Sequence, residues 1–110
     1  MDDQATFVRS ERNGRATLVV SGEIDLVTAP YLRDELAAVI ADAGSTTVVD
    51  LSAVTFIDSS GLSALLDARA GVDGTDATLV LLNPSSECRR VLELTGTAVL
   101  FEIADGELPT

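Results

Sequence analysis

The chain begins with alternating apolar and polar residues, a pattern typical of half-buried β-strands. Two such runs, residues 5–11 and 15–21, flank Asn13 and Gly14. Asn-Gly favours a tight turn because both residues tolerate positive φ angles. The pattern therefore predicts that the protein opens with a β-hairpin.

Beyond Asp25 the apolar residues recur at the spacing of an amphipathic helix. We predict a first helix over residues 29–43, with Thr28 as its N-cap and Gly44 after its end. Pro30 suits the first turn of this helix. The predicted core-facing residues are Leu32, Leu36, Val39, Ile40 and Ala43.

A strand and a helix follow. A short strand around Val48, Val49 and Leu51 is apolar on both faces, which is typical of a strand covered by helices or lying centrally in a sheet. We predict that it leads into a second helix that ends at Gly71. The predicted core-facing residues of that helix are Leu62, Leu65 and Leu66.

The last third of the chain repeats this order. Residues 77–82 form an apolar strand, and Ser85 or Ser86 caps a third helix that stops at Gly96. That helix carries Cys88, Val91, Leu92 and Leu94. We predict a final strand over residues 99–103 and a frayed acidic tail over residues 104–110.

Strand and helix alternate after the hairpin, as in an α/β domain with right-handed crossovers. We predict one domain over residues 1–110, with a mixed, mostly parallel sheet opened by the hairpin and helices packed against it. Sites in such sheets tend to lie beyond the carboxyl ends of the strands. Asp25, Asp50 and Ser59 each lie at or after a predicted strand end, so we expect one end of the sheet to gather all three.

The charge of the chain narrows the choice of partners. The formal net charge is −11, and the seven basic residues are all arginine and form no cluster. Such a surface does not neutralise a phosphate backbone or an anionic bilayer, so we expect no nucleic-acid partner. The first residues lack the layout of a signal peptide, and no apolar run approaches the roughly 20 residues that span a bilayer. We expect a cytoplasmic protein that does not insert into membranes.

The residue types also argue against an enzyme. Without histidine or lysine, a serine nucleophile has neither a triad nor a dyad partner. Neither a phosphate-binding loop nor a dinucleotide fingerprint is present. Cys88 is the only cysteine, which excludes an internal disulfide and leaves no recognisable zinc site. We expect no catalysis, no cofactor and no metal; weak Mg²⁺ binding by carboxylates at the sheet end is the alternative.

Several segments of the sequence match a known family. Residues 22–25 read Gly-Glu-Ile-Asp and are followed by Thr-Ala-Pro at residues 28–30. Residues 49–52 read Val-Asp-Leu-Ser, residues 56–62 read Phe-Ile-Asp-Ser-Ser-Gly-Leu, and residues 91–96 also agree. With these segments the chain closely resembles the anti-sigma factor antagonists, single-domain members of the STAS (sulphate transporter and anti-sigma factor antagonist) superfamily. The resemblance spans most of the chain.

The resemblance implies a switch at Ser59. In the family, the serine directly after the motif aspartate is phosphorylated by a partner that is both a serine kinase and an anti-sigma factor, and a serine phosphatase reverses the modification. The unphosphorylated protein binds the anti-sigma factor and thereby frees a sigma factor for transcription. We expect Ser59 to be the acceptor, with Ser60 as its unmodified neighbour, and the domain itself to catalyse nothing.

The expected partner-binding surface surrounds this serine. Its residues are Asp25, Thr28, Asp50, Asp58, Ser59, Ser60, Gly61 and Leu62. Structural roles are the alternatives: Asp25 as a turn residue, Asp58 as a helix cap, and Leu62 in the core together with Phe56.

Electrostatics favour a switch independently of the resemblance. A phosphoserine carries about −1.5 to −2 charges, and on Ser59 it would lie beside Asp58 in an acidic chain. Like-charge repulsion should weaken a docked face. Free N–H groups at a helix start stabilise an anion by about 0.3–1 kcal/mol, so the phosphorylated fold should survive.

Two other functions stay open at this stage. The first is a constitutive STAS adaptor or structural subunit of a signalling assembly or transporter complex, in which the Asp-Ser-Ser-Gly turn only caps a helix. The second is small-ligand binding in the sheet-end crevice, which no residue supports beyond the location of that crevice.

Overall fold

Five strands and three helices build the domain in the computed structural model, which describes residues 4–107. The strands are β1 (Ala5–Arg12), β2 (Arg15–Ile24), β3 (Thr46–Ile57), β4 (Thr78–Leu82) and β5 (Glu102–Ala104). The helices are α1 (Ala29–Ala43), α2 (Ser59–Val72) and α3 (Ser86–Leu94), with a short 3₁₀ helix at Ala98–Leu100. The strands lie in the sheet in chain order, and of the pairs only β1–β2 is antiparallel. This confirms the predicted mixed, mostly parallel α/β architecture.

The predicted hairpin is present. Asn13 and Gly14 both have positive φ angles, 53° and 78°, and Arg12 pairs with Arg15 across the turn. The helix caps also follow local chemistry. Ser85, the first of the two candidate caps, accepts the N–H of Cys88 at 3.2 Å.

The core lies on one face of the sheet. Strand residues such as Leu18, Val49 and Leu81 pack there against the buried side chains of all three helices. Consecutive strand order with crossovers of one hand places every helix on the same side. The opposite face carries a smaller buried cluster, made of Val48, Val80 and Leu82. Within residues 4–107, no helix is both long enough and apolar enough to cross a membrane.

The largest departure from the sequence-based prediction is the length of β3. It runs for 12 residues and continues well beyond Leu51, pairing with β4 only up to Asp50 and with β2 up to Ile57. The β-branched and aromatic residues between Ser52 and Ile57 favour this extension. The carboxyl ends of β2 and β3 therefore project beyond β4 as a two-stranded extension, and α2 begins at its tip.

The end of the chain also differs from prediction. The last strand was predicted over residues 99–103, but β5 begins only at Glu102. The N–H groups of Leu100 and Phe101 instead donate to the carbonyls of Thr97 and Ala98, which forms the 3₁₀ helix. Ala104, expected to be frayed, lies in β5. Asn83 and Gly106 then exchange two hydrogen bonds of 3.0 and 2.7 Å. Residues 108–110 of the predicted tail lie outside the described residues.

Two glycines of α2 form a matched pair for testing the packing at its start. A Cβ on Gly61 would lie 2.7 Å from Ile57 Cγ1 and 2.8 Å from Ile24 Cγ2, whereas a Cβ on Gly71 would meet nothing within 4 Å. We expect Gly61→Ala to lower the free energy of unfolding by about 1–3 kcal/mol through overpacking. Gly71→Ala should raise it by about 0.5–1 kcal/mol through helix propensity. Urea denaturation measures both, and a stabilising Gly61→Ala would contradict the close approach.

Candidate functional site

The candidate site lies at the carboxyl ends of β2 and β3. Ile24 and Ile57 are register partners at the last pair of this parallel ladder, so Asp25 and Asp58 follow side by side. The N–H of Asp58 donates to the carbonyl of Ile24 at 3.2 Å. Ser59, the first residue of α2, is therefore fixed beside the loop that joins β2 to α1.

Asp58 is the N-cap of α2, as predicted. Its Oδ1 accepts the N–H groups of Ser60 at 2.8 Å and Gly61 at 3.2 Å. These donors would otherwise lack an intrahelical partner. The cap fixes a carboxylate one residue away from Ser59.

Ser59 is exposed to solvent at the start of the helix. Within the described part of the chain, no hydrogen bond engages its hydroxyl. Ser60 is half-buried and its N–H is committed to the cap. Of the two serines, Ser59 has the hydroxyl that another protein reaches more easily.

A dense hydrogen-bond network holds the loop between β2 and α1. Asp25 Oδ1 accepts the N–H of Val27 at 2.9 Å and that of Thr28 at 3.3 Å, and the Gln4 side-chain amide donates to the other carboxylate oxygen. The buried Thr28 hydroxyl donates to the carbonyl of Glu23 at 2.8 Å and accepts the N–H of Asp25 at 3.0 Å. These hydrogen bonds hold the backbone of the loop in one conformation.

Thr28 lies at the N-cap position of α1, as predicted, but it does not cap the helix with its side chain. Its hydroxyl bonds to the preceding loop and not to an N–H of the helix. Because the Thr28 side chain is buried, a partner would meet it only indirectly.

The same network shifts the acidity of Asp25. Burial by itself raises the pKa of this carboxyl, but the hydrogen bonds from Thr28, Val27 and Gln4 outweigh it and hold the pKa below its ordinary value of 3.8. A carboxylate with a lowered folded-state pKa stabilises the fold above the ordinary pKa, and this contribution is lost as pH falls through the folded-state pKa.

We therefore expect Asp25→Asn to destabilise the protein at neutral pH, with a deficit that shrinks as the pH falls below about 4. Chemical denaturation of both proteins across acidic pH measures the deficit. A deficit that stays constant with pH would show that the charge of Asp25 contributes nothing to the loop.

Asp50 does not lie at this edge, which corrects the prediction that it joins Asp25 and Ser59. It is 4% exposed within β3, where its carboxylate binds Arg12 Nη1 at 2.8 Å and accepts from the Ser52 hydroxyl at 2.7 Å. Because the strand continues for seven residues to Ile57, about 23 Å separate it from the site. The Mg²⁺ alternative required these carboxylates to converge, and residues 4–107 contain no group of three acidic, cysteine or histidine side chains suited to a metal.

Leu62 and Gly61 are also placed differently from the expected partner-binding surface. Leu62 is buried in the core, because it lies on the apolar stripe of α2. Gly61 is buried where the helix start packs on Ile24 and Ile57. Both residues position the helix start, and neither is accessible to a partner.

Sequence reasoning missed two exposed apolar residues at the edge. Leu26 and Val27, in the β2–α1 loop, are 76% and 62% exposed, and Tyr31 on α1 is exposed as well. Phe56, for which core packing was the favoured alternative, is instead exposed near the end of β3. The signal was available: two consecutive large apolar residues stand in a loop that the helical spacing of α1 does not include.

Similarity to known proteins agrees with this geometry. The model of the STAS domain family matches residues 7–107. The anti-sigma-F factor antagonist RsfB of Mycobacterium tuberculosis is 36% identical over 101 residues, which make up 92% of this chain and 82% of RsfB.

Two solved structures share the fold. A crystal structure of an anti-sigma factor antagonist from Mycobacterium paratuberculosis is 34% identical, with a TM-score of 0.82 over 94% of this chain and 88% of that chain. The Bacillus cell fate determinant SpoIIAA in its phosphorylated form is 26% identical, with a TM-score of 0.67 over 92% of this chain and 91% of that chain. The chain thus belongs to the STAS domain family and, within it, to the anti-sigma factor antagonists.

Proposed function

We propose that this protein binds an anti-sigma factor with serine kinase activity while Ser59 is unmodified, and releases it once Ser59 is phosphorylated. Release would return the anti-sigma factor to its sigma factor and so regulate transcription. The observation that carries the proposal is an exposed, unengaged Ser59 hydroxyl beside the fixed carboxylate of Asp58. The chain contributes no catalysis and no cofactor to this cycle.

The two chemical steps belong to the partners. The kinase transfers the γ-phosphoryl group of ATP to Ser59 Oγ, which gives up its proton, and ADP leaves. A serine phosphatase hydrolyses the phosphoserine with water and releases inorganic phosphate. We place the cycle in the cytoplasm, where sigma factors meet RNA polymerase.

The local charges support a change in recognition. A phosphate on Ser59 adds about −1.5 to −2 charges beside Asp58. Two of the N–H groups at the helix start that could have offset this charge, those of Ser60 and Gly61, already bind the Asp58 carboxylate. The new charge therefore adds to that of Asp58 at the very surface on which the partner docks.

The site assignment is tested by phosphorylation in vitro. The purified chain is incubated with its cognate anti-sigma kinase and ATP, and its peptides are mapped by mass spectrometry. We expect one phosphate on Ser59, none in Ser59→Ala, and normal labelling in the matched Ser60→Ala control. Labelling of Ser60 with Ser59 untouched would overturn the assignment.

A further inference from the structure

The loop between β2 and α1 presents large apolar side chains to water without a structural need. Leu26 and Val27 are consecutive and largely exposed; Tyr31, in the first turn of α1, and Phe56, next to last in β3, are exposed as well. We call these four residues the apolar rim. Covering exposed apolar side chains of this size with another surface is favourable, because it removes apolar area from water.

The backbone beneath the apolar rim is fixed in this conformation. The Asp25 carboxylate accepts the N–H of Val27, and the Thr28 hydroxyl accepts the N–H of Asp25 and donates to the carbonyl of Glu23, which ties the end of the loop to its start. These hydrogen bonds hold the short backbone segment that carries the two apolar side chains. A rigid, exposed anchor of this kind binds a partner with little loss of conformational entropy.

The apolar rim is continuous with the switch. Phe56 is the register partner of Glu23, and Asp58 bonds to Ile24, so the loop and Ser59 share one edge of the sheet. A kinase that reaches the Ser59 hydroxyl must pass over or beside this edge. An ordinary protein interface covers about 800 Å² on each partner, which is ample to include both.

The charges around the apolar rim indicate which kind of partner surface would complement it. Glu23 and Asp34 are exposed beside it, Asp58 caps α2 close by, and residues 16–32 and 46–68 contain no arginine or lysine. We propose that Leu26 and Val27 insert into an apolar depression on the anti-sigma factor that is bordered by basic residues. This inference rests on the proposed function and deepens it: the apolar rim holds the partner, while Ser59 decides whether it stays.

The chain offers a matched control for the test. Leu26 and Leu94 are leucines of nearly equal exposure, 76% and 75%, but Leu94 ends α3, away from the β2–α1 loop. We expect Leu26→Gln to weaken binding of the purified cognate anti-sigma factor at least about tenfold, and Leu94→Gln to change it less than about twofold. Both variants should keep the thermal stability of the parent chain, because the side chains are exposed.

A second pair checks the same point with an isosteric change. Val27→Thr replaces a methyl group by a hydroxyl at the apolar rim, and Val99→Thr does so in the 3₁₀ helix. Calorimetric titration should show weaker binding and a less negative heat-capacity change for Val27→Thr alone. The loss caused by Leu26→Gln should also persist at high ionic strength, which screens exposed charges but not apolar contacts.

The outcomes separate the two proposals. If the wild-type chain binds the anti-sigma factor and Leu26→Gln binds equally well, the apolar rim is not the anchor, although the proposed function stands. If the wild-type chain does not bind, both proposals fail. If sedimentation shows a dimer of the wild-type chain that Leu26→Gln abolishes, the occupant is a second copy and the inference is overturned.

Discussion

Phosphorylation of Ser59 is expected to lower the affinity for the anti-sigma factor by more than a hundredfold. This corresponds to a loss of roughly 3 kcal/mol of binding free energy. In the free protein, water solvates the phosphate and weakens its repulsion from Asp58. Docking removes that water, so the dianion and the carboxylate then interact in a medium of lower dielectric constant.

The structure limits how far the helix can compensate. Asp58 already holds the N–H groups of Ser60 and Gly61. Residues 16–32 and 46–68, which include both strand ends at the site, contain no arginine or lysine. A phosphate must compete with Asp58 for these two donors or bind without them. The fold should survive either way, with a melting temperature within a few degrees of the unmodified chain, because a cap contributes only about 1 kcal/mol.

A charge-matched pair of variants isolates the position of the charge. Ser59 is the first residue of α2, and Ser86 is the first residue of α3; both are exposed and both follow a capping residue. Ser59→Asp should strongly reduce the affinity of this protein for the anti-sigma factor, while Ser86→Asp should leave that affinity nearly unchanged. Isothermal titration with each variant, and with the enzymatically phosphorylated chain, measures the three affinities.

Equal binding by phosphorylated and unphosphorylated chains would contradict the switch. It would favour a constitutive adaptor, in which the Asp-Ser-Ser-Gly turn only starts a helix.

Gly22→Ala is expected to destabilise the protein by about 3 kcal/mol or more. Gly22 has a φ angle of +90°, which L-residues rarely adopt, and a Cβ there would lie 2.1 Å from the carbonyl oxygen of Gln4. That oxygen accepts the N–H of Glu23 at 2.8 Å, so the contact involves backbone that is itself hydrogen-bonded. The strained backbone costs about 1–2 kcal/mol, and displacement of the start of β1 adds the rest.

Gly14→Ala is the control that measures the cost of the strained backbone alone. Gly14 has a similar φ angle of +78°, but a Cβ there would meet nothing within 4 Å. It should cost only about 1–2 kcal/mol. Urea denaturation of both variants measures the difference, and equal losses would show that β1 yields to the Gly22 side chain without cost.

Gly22→Ala should also weaken partner binding at the site. Gln4, whose carbonyl oxygen the new methyl group would displace, donates its side-chain amide to Asp25. A looser β2–α1 loop would hold Leu26 and Val27 less firmly, so partner binding should weaken together with stability.

Much of this protein could be predicted because its signals are local. Asn-Gly dictates its own turn, the spacing in residues 29–43 produces α1, and the Asp58 carboxylate reaches N–H groups only two and three residues away. Such interactions depend on neighbours in the chain, so a short window of sequence contains all of their participants. The position of Ser59 at a helix start follows for the same reason.

Contacts between residues far apart in the chain decided the features that the sequence did not predict. Asp50 was misplaced because the length of β3 depends on β2 lying beside it, and the pairing of Asp50 with Arg12 joins residues far apart in the chain. The burial of Leu62 and the exposure of Leu26 depend equally on which surfaces meet in three dimensions. The sequence by itself thus determined the elements, the cap and the serine, whereas the tertiary structure decided which acidic and apolar side chains surround that serine, because burial is set by distant segments that pack together.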